Sequence, residues 1–166
     1  MSRLFEKEFE NVEYIKQNNP ECLQIIQDIG CFFRSACHLA ELVSGRVLSA
    51  SDLNHLWRQS KNLEYINEKD DVQDSAKIAN IALERLGHPG RFTEIGIKRG
   101  DAVNLYRWAQ NAGMKPTHFI KKIAQNGKSK THFVVVDENG KVIFEPHFPD
   151  IISRGEIYTI CYTYDC

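Results

Sequence analysis

A chain of 166 residues, 42% hydrophobic and 26% charged, has the size and composition of one globular domain. Such a domain buries about 70% of its unfolded surface and needs no disulfide or metal to hold it together. A formal net charge of −1, with no basic stripe, argues against a general nucleic-acid role. Cys22, Cys31, Cys37, Cys161 and Cys166 form no CxxC pair, which argues against a zinc site or disulfide framework and for reduced thiols in a cytoplasmic setting.

The opening "MSRLFEKEFENVEYIKQ" carries acids throughout and lacks the apolar centre of a secretory signal. No window approaches the roughly 18 apolar residues of a membrane span. Leu4, Phe5, Phe9, Val12 and Ile15 recur near helical period and predict a helix over residues 4–17, stopped at Asn18-Asn19-Pro20. A short segment over 21–28 leads into Gly30. From Cys31, the spacing of Phe33, Ala36, Cys37, Ala40 and Val43 predicts a strong helix to residue 43, closed by Gly45. Ser49 or Ser51 caps a helix over 52–61. Asp74 caps another over 75–86, with Gly87 behind it.

Residues 92–97 read as a strand. Asp101 then caps a helix over 102–111, whose expected apolar stripe is Val103, Tyr106 and Trp108. From Thr117 the period changes. "THFVVVDENGKVIFEPHF" is a hairpin about an Asn139-Gly140 turn, and "EIYTICYTY" alternates as a further strand. Helices first and antiparallel strands last predict an α+β domain: a helical part over about 1–113 packed on a sheet over about 114–166.

The stretch "GCFFRSACHLAE" raises a chemical question. A thiolate attacks carbonyls, and a helix N-terminus stabilises negative charge with its positive end and unpaired N–H groups. The same groups hold an oxyanion, and Gly30 would let a substrate backbone approach. Cys31 stands at that position and Cys37 does not. Buried thiols that merely fill a core are common, so this segment alone leaves both readings open.

A nucleophilic cysteine needs a base, and the base needs an orienting group. His132 opens the valine-rich strand. With a two-residue turn at Asn139-Gly140, Val134 faces Glu145, and His132 becomes the diagonal neighbour of Glu145 on one face. A slip of one residue would separate them.

"GCFFRSA" at a helix start and "THFVVVDENGKVIFEP" downstream resemble the papain-like cysteine peptidases, in particular the branch that removes bacteriocin leader peptides and its stand-alone relatives. The resemblance implies a papain-like fold and hydrolysis of a peptide or protein substrate without a cofactor. It implies Cys31 as nucleophile, His132 as base and Glu145 as the orienting residue, where the family usually has Asp or Asn. The family also places an oxyanion-hole glutamine about six residues before the cysteine. That position is Ile25 here, so Gln27 or Gln24 becomes the candidate donor. Two alternatives remain: a catalytically inactive binding protein on the same fold, and a metal-binding protein using His132 and His147.

Other residues have plainer readings. His38, adjacent to Cys37 on its helix, reads as structural, while His118 is the runner-up base. Asp70, Asp71 and Asp74 lack the pattern of a calcium loop. Trp57 and Trp108 sit on helical stripes. "FIKKIAQNGKSK" is locally basic, with a solvated rim as its default role and an acidic substrate as the sharper one.

Overall fold

The computed structural model describes residues 13–99, 102–125, 131–147 and 153–166. Its helices are α1 (Gln24–Ile29), α2 (Cys31–Ser44), α3 (Ala50–Asn62), α4 (Ser75–Arg85) and α5 (Ala102–Asn111). Its strands are β1 (Arg91–Lys98), β2 (His118–Gln125), β3 (Thr131–Val136), β4 (Val142–Phe144) and β5 (Ser153–Asp165). The class is α+β. The strands form one antiparallel sheet in the order β1-β5-β2-β3-β4. No helix among the described residues is long and apolar enough to cross a membrane.

Local signals account for most boundaries. Ser49 and Asp52 form a reciprocal capping box at α3, and the Asp74 side chain accepts from the Lys77 N–H at α4. Gly45 ends α2 in the left-handed region at φ 68°.

Alternation in the strands divides two cores. Phe92, Ile120, Val135, Phe144, Ile160 and Tyr162 pack with α1 to α4. Phe119, Ile123, Val134, Val136 and Cys161 pack under α5. The face that α5 buries is Ala102, Leu105 and Ala109, not the expected Val103, Tyr106 and Trp108. Trp108 instead covers β1, where a Cβ on Gly96 would come within 2.8 Å of its ring.

Two local expectations fail for tertiary reasons. Of the expected helix over 4–17, residues 1–12 lie outside the described residues. Residues 13–16 are irregular and Gln17 lies in a turn. This strap makes long-range bonds instead: the Ile15 carbonyl accepts from Arg34 Nε at 2.6 Å, and the Gln17 N–H donates to the Pro146 carbonyl at 2.7 Å. The cap expected at Asp101 also lies outside the described residues.

The hairpin turn differs as well. The Asp137 N–H donates to the Lys141 carbonyl, so three residues, Glu138 to Gly140, make the loop, with Gly140 at φ 83°. The register then shifts from Val136↔Val142 to Val135↔Phe144, and Ile143 is the extra residue of a bulge. Longer turn and bulge cancel, so beyond Phe144 the chain regains the alignment expected from a two-residue turn.

Candidate active site

Cys31 is the first residue of α2 and is half-buried. Its N-cap is Gly30, and no side chain among the described residues caps the helix, so none of these occupies the first-turn amides. The role of Gly30 differs from the expected one. It is buried, and a Cβ there would lie 2.4 Å from the Ile26 carbonyl oxygen. The glycine is needed so that α1 can run directly into α2, rather than to admit a substrate. Gly30→Ala is expected to cost about 1–3 kcal/mol through overpacking, read as a lower urea midpoint.

His132 lies near the start of β3 with a side chain 2% exposed. β4 stops at Phe144, so this end of β3 has no β4 partner, and Glu145 turns into the space. His132 Nε2 hydrogen-bonds Glu145 Oε1, and the imidazole lies near enough to Cys31 for the sulfur to raise its pKa. With Nε2 engaged, Nδ1 is the nitrogen left for sulfur. Glu145 Oε1 accepts a second bond from the His147 N–H at 3.1 Å. Burial disfavours the His132 imidazolium. The interactions with Cys31 and Glu145 outweigh it, and the pKa rises from 6.5 to about 9.

The strap and a buried ionic cluster hold Glu145 in place. Lys16 Nζ donates to the Glu145 carbonyl, and Gln17 bonds the next carbonyl along. Beneath them Arg34, His38 and Glu41, one helix face of α2, are each at most 1% exposed. Glu41 Oε1 accepts from Arg34 Nη2 at 2.7 Å and His38 Nδ1 at 2.8 Å, and Oε2 accepts from the Leu48 N–H at 2.8 Å. His38 stacks on Phe144 with centroids 3.8 Å apart, and Arg34 lies over the same ring. The residue that precedes Glu145 is thus clamped from below. This cluster had a readable signal: charges at i, i+4 and i+7 on a helix whose neighbouring positions are apolar.

The glutamines are arranged differently from expectation. Gln27 Nε2 donates to the Cys22 carbonyl at 2.8 Å, and Gln24 Nε2 donates to Asp28 on the exposed side of α1. Gln17, which the sequence did not single out, is 3% exposed. Its Nε2 reaches the carbonyls of Ile26 at 3.5 Å and Gln27 at 3.3 Å, and its buried Oε1 has no partner among the described residues. It lies far upstream of the family spacing, and only folding brings it to α1.

The other histidines separate from this site. His118 starts β2 opposite Tyr162, whereas His132 lies opposite Ile123 near the far end of that strand. About five residues, or roughly 16 Å of strand, divide them, so His118 is not an alternative base. His38 is structural. His132 Nε2 is engaged by Glu145, and no group of three metal-ligating side chains occurs among the described residues. A cavity of about 480 Å3 lies elsewhere, lined by Lys77, Glu84, His88 and Arg91 among others, and includes neither Cys31 nor His132.

Comparison of the chain with known protein families, with curated proteins and with solved structures returns no match.

Proposed function

We propose that the protein is a cysteine peptidase or amidase on a papain-like fold. The observation that carries this reading is the buried His132 imidazole, hydrogen-bonded to Glu145 and close to Cys31 at the start of α2. His132 holds the proton of the Cys31 thiol, and the thiolate attacks a substrate carbonyl. The α2 amides receive the oxyanion. The imidazolium then protonates the leaving amine, and water releases the acyl group with His132 as base. Glu145 keeps the ring in the required tautomer and stabilises its charge. The substrate class is a peptide or protein.

One observation favours a non-catalytic binding protein of the same fold. The Gln27 amide is engaged with Cys22 rather than standing free for an oxyanion. The two readings differ in thiol reactivity. Cys22, Cys37 and Cys161 are buried, and Cys166 is exposed, so Cys166 serves as an internal reference. Under limiting iodoacetamide at pH 6.5, peptide mass spectrometry is expected to find Cys31 modified about tenfold faster than Cys166 despite its lower exposure. Slower labelling of Cys31 than of Cys166 would leave the binding reading in place.

A further inference from the structure

The residues that follow the two reacting groups form a second feature. Phe32, next to Cys31, stacks flat on Phe133, next to His132, with centroids 4.0 Å apart and planes 6° from parallel. Phe133 contacts Tyr158 edge-on at 6.3 Å. Lys122 lies between them in the sheet, directly opposite Phe133 on one side and Tyr158 on the other. Its ammonium sits 5.5 Å from the Phe133 centroid and 5.2 Å from that of Tyr158. Phe133, Lys122 and Tyr158 form a row across β3, β2 and β5, and Phe32 extends it from the start of α2. Phe32, Lys122 and Tyr158 are all half-buried, so the row is open to solvent at the mouth of the site.

No carboxylate among the described residues is ion-paired with Lys122. Two rings hold the ammonium in place while leaving it able to donate, an arrangement that suits a carboxylate delivered from outside. The flat faces of Phe32 and Tyr158 suit the aliphatic stem carrying it. We infer that this row is a specificity shelf that selects substrates bearing an acidic side chain on the residue before the one whose carbonyl is attacked. The inference rests on the peptidase reading and gives the basic stretch around Lys122 its task.

The test uses two probes, N-acetyl-Glu-Ala-chloromethyl ketone and its Gln counterpart, against the parent protein, Lys122→Arg and Lys122→Met. The Gln probe is the reference within each protein. Cys31 of the parent is expected to react about tenfold faster with the Glu probe. Lys122→Arg keeps the preference and Lys122→Met removes it. In parallel, N-acetyl-Glu-Ala-amide and N-acetyl-Gln-Ala-amide are titrated into Cys31→Ser protein, with and without Lys122→Met, and followed by amide chemical shifts. The Glu peptide is expected to move Phe133 and Tyr158 signals, and Lys122→Met to abolish the movement. Equal treatment of Glu and Gln, a preference that survives Lys122→Met, or binding of neither peptide overturns the shelf. Binding of the Glu peptide at a shelf whose Cys31 reacts with neither ketone upholds the shelf and defeats the peptidase reading instead.

Discussion

Replacing Glu41 by glutamine is expected to destabilise the protein by about 3–5 kcal/mol. The substitution leaves the Arg34 guanidinium fully buried with its principal counter-charge gone, and Nη1 of that group already has no partner among the described residues. Urea unfolding at pH 7 measures the loss. Burial alone would raise the Glu41 carboxyl. The Arg34 charge, the His38 hydrogen bond and the Leu48 N–H overcome it and hold the pKa below the ordinary value. Burial lowers His38 to about 4 in spite of its bond to Glu41, so the ring is neutral in the folded protein.

Both shifts have the same sign. A depressed folded pKa means that the unfolded chain binds protons first, so the associated stability is present at neutral pH and lost in acid. For His38 the loss runs from about 6.5 down to about 4, and for Glu41 it continues as pH falls through its lowered folded value. Unfolding midpoints collected from pH 7 to pH 4 are expected to fall steeply in the parent and less steeply in His38→Gln, which removes the group that titrates in this window. A parent midpoint that stays level to pH 4 would contradict the burial of a neutral His38. Because Phe144 and Ile15 rest on this cluster, its loss also loosens the segment that presents Glu145.

On the peptidase reading, His132→Ala is expected to lower Cys31 alkylation at pH 6.5 on the order of 10–100-fold, since the proposed base is gone. Hydrolysis of an amide substrate is expected, on the same reading, to fall on the order of 10²–10⁴-fold, because the same ring would protonate the leaving amine. The pH dependence of stability here has the opposite sign from that of the buried cluster. His132 is raised to about 9, so its contribution is complete below the unfolded value of 6.5 and declines as pH rises through about 9. Midpoints between pH 6.5 and 9.5 are expected to drop in the parent and to stay flatter in His132→Ala. Amide hydrolysis should show an alkaline limb near 9. An alanine variant that alkylates at the parent rate would remove His132 from any role in activating the thiol.

Much of the frame was legible from local signals. The boundaries of α2, α3 and α4 follow from Gly45, the Ser49–Asp52 box and Asp74, which satisfy helix-end groups whatever the rest of the chain does. The strand set was harder to read. β2 contains two adjacent lysines that interrupt its alternation, yet it is the strand that joins β5 to β3. Lys121 is buried on one face, and Lys122 on the other is covered by rings. Long aliphatic stems make this possible, and no periodicity count anticipates it.

The pairing of His132 with Glu145 was anticipated from register, although the turn that supplied the argument is wrong by one residue. The pairing holds in the folded chain because the Ile143 bulge offsets the longer loop. The glutamine was placed by spacing alone, and spacing does not say where a carbonyl lies. Cys22 takes the Gln27 amide, and Gln17 approaches α1 from the strap.

By itself the sequence determined the α+β class, the helix caps, the position of Cys31 at a helix start and the one hairpin able to offer a histidine and an acid. These rest on interactions a few residues apart, or on period and turn chemistry, which the chain carries wherever it folds. Only the tertiary structure decided that residues 13–17 form a strap rather than a helix, that Gly30 serves packing, and that Arg34, His38 and Glu41 lie buried under Phe144. Each of those outcomes depends on partners far away in the chain. A backbone carbonyl, a ring face or an excluded Cβ has no signature until the fold brings it into contact.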